Sequence, residues 1–236
     1  MQKLRIEIGG IENSFSIFNS QFSIPSLDYV AMEKQRSLLW HLLDVALNIV
    51  IIVGIVAGIR TFLVSPFQVE GDSMVDTLEH KEYIIINKLA YILGDPARGD
   101  VVVFRPPSDH KKHYVKRIIG IPGDEVIIRG GKVYLKTPQA ERAVELPELY
   151  LNDHNADHTF AHPPNSGNTQ EQRFEVPEGK YFLLGDNRQA SQDSRSFGAM
   201  AEGSPYVPDG DIKGKVWFVA LPISKIQALE KPEYGF

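Results

Sequence analysis

The sequence predicts a mainly β protein, an antiparallel-sheet domain preceded by a single transmembrane helix. Three observations predict it. A long apolar run, Leu38–Val64, stands near the N-terminus. Beyond it the hydrophobic residues come in short β-branched and aromatic runs, and Gly, Pro and Asp punctuate those runs at their ends. No helix-length amphipathic pattern competes with them.

The run itself reads LLWHLLDVALNIVIIVGIVAGIRTFLV. As a helix its 27 residues reach about 40 Å, beyond the roughly 30 Å of a bilayer's hydrocarbon. Only Val45–Ile59 is nearly free of polar groups, with His41, Asp44, Asn48 and Arg60 interrupting or flanking it. A spanning helix is favoured over a buried core helix. It is also favoured over a cleaved signal peptide, because no small-x-small site is followed by a clean mature start. Lys34 and Arg36 precede the span and Arg60 alone follows closely. The positive-inside bias then puts the N-terminus in the cytoplasm and the C-terminal domain outside. Trp40 and Phe62 are placed for the two interfaces.

Residues 1–37 form the N-terminal segment. Within it, residues 1–31 show no amphipathic period, basic patch or core pattern, whereas Met32 is followed at once by the compact charged lead EKQRSLLW. Met32 is therefore expected to be the biological start, with residues 1–31 an upstream extension.

After the span, from residue 65 to 236, the strand-like runs are EYIIINKLAY, GDVVVFRPP, HYVKRIIGI, DEVIIRGGKVYL, RFEVPEGKYFLLG and KGKVWFVALP. RGGK between EVII and VYL marks a hairpin, because glycine tolerates the positive φ of primed turns. The stretch at about 136–172 is polar and is expected as an excursion over the surface. In it His154, His158 and His162 recur every four residues with Asp153 and Asp157 alongside. A metal site would need a helix to gather them, and Asn, Asp, Thr and two prolines argue against one. No metal and no cofactor are expected.

Composition narrows the chemistry. The chain has no cysteine, which removes disulfides, thiolate catalysis and cysteine-based zinc sites. Net charge is −5, and five Lys/Arg balance five Asp/Glu up to Val64, so the whole excess lies after the span. An acidic domain argues against nucleic acid as a partner, since phosphate binding needs a basic footprint.

The stretch EGDSMVDTLEH, residues 70–80, sets a serine just after the span. A serine hydroxyl is a poor nucleophile and needs a base within hydrogen-bond reach. Most of the seven histidines lie in polar loops, and none stands in a strand-like setting beside a carboxylate that could orient it. The better candidate is Lys116 in HYVKRIIGIPGDEV. As a strand, this segment puts Lys116 on one face with Tyr114 and Ile118, and Arg117 on the other with Val115 and Ile119. Lys116 is thus placed for desolvation, unless it snorkels with its head in water. An exposed lysine is only roughly 0.1% neutral at neutral pH, and burial raises that share. A third stretch, LLGDNRQASQDSRSFG, offers Asp186, Ser191, Asp193 and Ser194 with Arg188 and Arg195 interleaved.

In the order SPFQVEGDSMVDTL, GDVVVFRPP, YVKRIIGIPGDEV and GDNRQASQDSR, these segments resemble type I signal peptidase, the bacterial leader peptidase. The likeness covers most of Ser65–Leu221 apart from the polar stretch. It implies a Ser/Lys-dyad domain of the signal-peptidase and self-cleaving-repressor fold, held at a bacterial cytoplasmic membrane with its catalytic domain on the extracytoplasmic side. It implies that Ser73 is the nucleophile, Lys116 the general base and Ser191 the hydroxyl that orients Lys116. Arg117, Asp186, Asp193 and Arg195 become a supporting ion-pair network, and Phe67, Val69, Met74 and Tyr114 the apolar wall of the substrate pockets. The implied partners are membrane lipid and exported preproteins, cut after Ala-x-Ala or another small-x-small site. Two departures stand out. Asp76 replaces the usual proline and puts a carboxylate near the dyad, expected to lift the lysine's proton affinity. Gly71 stands where some members carry a serine that assists the oxyanion, so backbone N–H groups, including that of Ser73, must serve. Two rivals remain: a self-cleaving repressor-type protease, which would need a DNA-binding region, and a non-catalytic β-rich binding or assembly module on the same anchor.

Overall fold

The computed structural model describes residues 27–163, 166–199 and 203–235. Residues 1–26, most of the expected upstream extension, lie outside the described residues. Contacts divide the chain after Gly54.

Helix α1 runs Leu27–Gly58 and continues as a π-helical turn over Ile59–Leu63. It therefore begins upstream of the expected Leu38 and takes in Met32. Ser37–Thr61, 25 residues, is long and apolar enough to cross a membrane, and protein buries none of it. Trp40, Ile49, Val53 and Val56 are all exposed, on different sides of the helix. That exposure is compatible with a membrane anchor. Asn48 satisfies its polar end within the helix by donating to the Asp44 carbonyl at 2.8 Å.

Val64, expected as the last residue of the span, instead opens strand β1, Val64–Gln68. Beyond Ile59 and Arg60 come Thr61, Phe62 and Val64, β-branched or aromatic residues that favour extended backbone, and Pro66 has no N–H for a helix. β1 lies at a sheet edge, where a proline is tolerated. It pairs antiparallel with β2, Tyr83–Asn87, from Val64↔Asn87 to Gln68↔Tyr83. Lys88, just past β2, donates through its backbone N–H to the Leu63 carbonyl and through Nζ to Thr61 O at 3.2 Å. A cation thus closes the last turn of the helix.

The remaining elements follow in chain order. After the short helix α2, Ala90–Leu93, come β3, Val101–Phe104, and β4, Tyr114–Gly120. β5, Glu125–Arg129, and β6, Lys132–Lys136, form the expected hairpin, with Arg129 facing Lys132 and φ of +58° and +83° at Gly130 and Gly131. β7, Val144–Glu145, β8, Gln172–Glu175, and β9, Lys180–Leu184, lead to the short helix α3, Ser194–Phe197. β10, Val207–Pro208, β11, Ile212–Leu221, and β12, Gln227–Ala228, complete the chain. The first sheet has the order β1-β2-β11-β3-β4-β9-β10, with β12 on β11; the second has the order β7-β6-β5-β8. Each pair is antiparallel. The fold is mainly β, as the patterning predicts.

One core cluster packs Met74 and Leu78 of the β1–β2 connection against Ile84, Ile86, Val103 and Val216. Another joins Ile119 and Phe182 of the first sheet to Val126, Ile128, Val133 and Leu135 of the second. The segment at 136–172 holds little regular structure beyond β7, yet it sends Leu146, Asn155, Thr159 and Ala161 inward. Thr159 and Asn155 accept from Arg188 and Gln189 of the loop after β9, a contact that composition does not reveal.

Candidate active site

β4 lies inside the first sheet, between β3 and β9, so both of its adjacent cations leave water. Lys116 is 3% exposed and Arg117 2%. They part company at once. Lys116 Nζ lies 2.6 Å from Ser73 Oγ and donates to the Val115 carbonyl at 2.8 Å. Arg117 instead makes two bonds to the Asp186 carboxylate, 2.9 and 2.6 Å, and a third to the Gly99 carbonyl at 2.9 Å.

Burial dominates the electrostatics of the lysine. It pushes the ammonium down to about 8, against the pull of Asp193 and Asp186, which favour the charged form, and with help from Arg195. An amine that titrates near 8 is partly free base at neutral pH. Asp76 takes no part in this balance. Its Oδ2 accepts from Asn152 Nδ2 at 2.6 Å, and the carboxylates acting on Lys116 are Asp193 and Asp186.

Ser73 sits in the connection between β1 and β2, and the loop after β9 holds it. The Asn187 N–H donates to the Ser73 carbonyl at 3.1 Å, and Asn187 Nδ2 to the Asp72 carbonyl at 3.0 Å. Gly185 makes this approach possible. A Cβ there would stand 2.5 Å from the Ser73 carbonyl oxygen and 2.2 Å from Ser191 Oγ.

Ser191 is buried close to Ser73 but does not bond Lys116. Its Oγ makes no hydrogen bond of ordinary geometry among the described residues, and its effect falls on Asp193, whose anion it favours. The Val115 carbonyl is the group that bonds the amine. Asp193 is wholly buried. Burial alone would raise its carboxyl, but Arg195 outweighs that through charge and hydrogen bonds, and Gly185 N–H adds to it, so the group titrates below the usual range. The Asp193–Arg195 pair closes at 2.7 Å, and Asp193 also caps α3 by accepting the Arg195 N–H. The expected network is therefore two separate pairs, Arg117–Asp186 and Arg195–Asp193.

A third buried cation went unassigned in the sequence. Arg188, with no exposed surface, bonds Glu148 with both Nη groups, and it also reaches Thr159 Oγ1 at 2.6 Å and the Gly185 carbonyl at 3.0 Å. Its position among interleaved carboxylates hinted at a pair, but Glu148 lies forty residues away in a polar stretch.

A cleft of about 460 Å³ opens in front of Ser73 and Lys116. Phe67, Val69 and Tyr114 line it, joined by Ile84, Val103 and Gln192. Met74 does not. Its side chain is 1% exposed in the core cluster under the loop, so the apolar wall is built without it. His113, just before β4, stacks against Phe67 at 5.3 Å between ring centroids. Among the described residues no group of three or more His, Asp or Glu is arranged to hold a metal ion. His154, His158 and His162 lie in loop, not on one helix face.

The sequence profile of the family described as signal peptidase, peptidase S26, matches residues 42–221, which takes in every residue of this site. The chain belongs to that family. Curated members give the same result. Signal peptidase I P of Bacillus subtilis subsp. natto is 33% identical over 196 residues, 83% of this chain and 97% of that protein. Signal peptidase IB of Staphylococcus aureus is 34% identical over 209 residues, 85% of this chain and 97% of that protein. Signal peptidase I of Pseudomonas fluorescens is 36% identical over 191 residues, 70% of this chain and 67% of that protein. A crystal structure of a signal peptidase I from Enterococcus faecalis V583 is 32% identical, with a TM-score of 0.38 over 52% of this chain and 97% of that one. Membership makes this chain a serine peptidase of the signal peptidase kind.

Proposed function

We propose that this chain is a membrane-anchored serine endopeptidase that removes signal peptides from exported preproteins after a small-x-small site, with Ser73 as nucleophile and Lys116 as general base. One observation carries the reading: a lysine amine shut away from water, titrating near 8, lies 2.6 Å from a serine hydroxyl at the floor of a peptide-sized cleft.

In the acylation step the Ser73 O–H gives its proton to neutral Nζ as Oγ bonds the scissile carbonyl carbon. The carbonyl π electrons move to oxygen. The Ser73 N–H has no protein acceptor among the described residues and is free to donate to that oxyanion. When the oxyanion collapses, the C–N bond breaks and the Lys116 ammonium protonates the leaving amine. The neutral lysine then deprotonates a water that attacks the ester, releasing the carboxylate product and restoring the Ser73 hydroxyl.

Substrate geometry follows from β1. It is an edge strand, so an extended peptide can add to it by backbone bonds while alternate side chains enter the cleft. Phe67 and Val69 point to that cleft and leave room for small residues such as alanine. Anchoring rests on the Ser37–Thr61 span. With Lys34 and Arg36 ahead of it, the positive-inside bias places the catalytic domain on the extracytoplasmic side of a bacterial membrane. Ser73 follows the span closely, and a signal peptide's own apolar stretch would bring its cleavage site to that depth.

The test uses the detergent-solubilised full chain and a preprotein with an Ala-x-Ala site. Ser73→Ala and Lys116→Ala should each lower cleavage by roughly 10³-fold or more while the domain stays folded. Full activity in a folded Lys116→Ala protein would remove the proposed base.

A further inference from the structure

The loop carrying Ser73 is closed by a ladder that outlasts its strands. Gln68 faces Tyr83 as the final pair of β1 and β2. Beyond it the Val69 N–H donates to the Glu82 carbonyl, and the Lys81 N–H to the Val69 carbonyl, both at 2.8 Å. The Lys81 bond slips the ladder by one residue, at a positive φ of 70°, and Gly71 and His80 lie beyond it on the two sides of the loop. There the backbone pairing ends and a side chain takes over: the Gly71 N–H donates to His80 Nδ1 at 3.0 Å.

On the reading of Ser73 as nucleophile, we infer that His80 is a positioning residue that holds the upstream side of the nucleophile loop. Gly71 has φ of +89°, a left-handed conformation that glycine alone adopts at little cost. Such a residue is also free to leave it, so something else must fix the peptide's direction. The imidazole lone pair does so from across the loop. A small rotation at Gly71 would swing Ser73, two residues on, relative to a lysine that is fixed in mid-sheet. Downstream, Asn187 already grips the carbonyls of Asp72 and Ser73. His80 supplies the opposing hold, on an N–H rather than on carbonyls. The bond requires an unprotonated Nδ1, hence the proton on Nε2 in the neutral ring. It also commits the Gly71 N–H, which is then not available to the reacting carbonyl, whereas the Ser73 N–H is.

His80 lies outside the lining of the cleft, so its loss should act on the chemical step and not on substrate binding. His80→Ala and His80→Asn in the full chain separate the possibilities, because asparagine Oδ1 occupies the side-chain place of Nδ1 and accepts the same bond. With the Ala-x-Ala preprotein, His80→Ala should lower kcat by roughly 10- to 100-fold with KM within about twofold, and His80→Asn should recover most of the loss. Labelling of Ser73 by a small serine-directed acylating probe should slow in parallel, with thermal midpoints unchanged. Wild-type kcat in His80→Ala would overturn the inference. So would an asparagine variant as slow as the alanine one, since ring bulk and not the acceptor would then matter. A wild-type chain that neither cleaves nor labels would instead overturn the peptidase reading.

Discussion

Arg117 and Asp186 meet through two short hydrogen bonds with side chains 3% and 1% exposed, directly after Lys116. The pair ties β4 to the loop that follows β9. Thr77 Oγ1, from the β1–β2 connection, donates to the same carboxylate at 2.5 Å. Arg117 also lies over the Tyr150 ring, 4.0 Å from its centroid. Three segments distant in sequence thus converge on one ion pair beneath the site. Removing one partner strands the other charge in a place without water. Asp186→Asn or Arg117→Met should therefore destabilise the domain by about 3–5 kcal/mol, measured by denaturant unfolding. A change of a few tenths would show that the pair is ornamental to the fold.

The second prediction concerns pH and rate. In the proposed mechanism the base must be unprotonated, and burial pushes the Lys116 ammonium down to about 8. kcat/KM for preprotein cleavage should climb about tenfold per pH unit below that value and level off above it. Asp193 and Asp186 hold the amine's affinity for the proton up. Asp193→Asn should hence move the ascending limb to lower pH, provided that the folded fraction is checked at each point. A limb left near 10 would mean that the lysine is solvated.

The same burial predicts a stability profile of definite sign. The folded lysine binds its proton less tightly than the unfolded one, so between about 8 and about 10.5 the unfolded chain holds more protons. Stability should rise with pH across that window and carry its full deficit below it. Lys116→Met removes the deficit. At pH 7 the variant should be more stable than the parent by roughly 2–3 kcal/mol, and the difference should shrink as pH rises from about 8 to about 10.5. Equal stability at pH 7 would refute the buried neutral amine.

How much of this was legible beforehand depends on what sets each feature. The strands and the β5–β6 hairpin follow from local patterning, and the span from a run of apolar residues, so both are visible in the chain. The pairing of Ser73 with Lys116 also follows, through motif order. Met74 was misplaced because a buried methionine and a pocket-lining one look alike in sequence; which way it points is decided by Leu78 and Ile84 beneath the loop. Ser191 was given a bond to Lys116 that the structure gives to the Val115 carbonyl, since backbone acceptors have no residue code. Arg188–Glu148 and Asn187 depend on loops docking across long separations, and His80 on the path of its own loop, and neither period nor composition leaves a signal for these.

Gly185 supports a last prediction that distinguishes space from chemistry. A methyl group there would lie 2.2 Å from Ser191 Oγ and 2.5 Å from the Ser73 carbonyl oxygen, distances that nonbonded atoms do not tolerate. Gly185→Ala must push the loop after β9 away from Ser73, breaking the Asn187 bonds to Asp72 and Ser73. Cleavage should fall by roughly 100-fold or more, with a smaller loss of stability than Asp186→Asn causes. Adding Ser191→Gly clears one obstruction only. The Ser73 backbone still blocks the methyl, so the double variant should stay inactive, and recovery of cleavage in it would show that the Ser191 side chain, not the Ser73 carbonyl, sets the requirement for glycine.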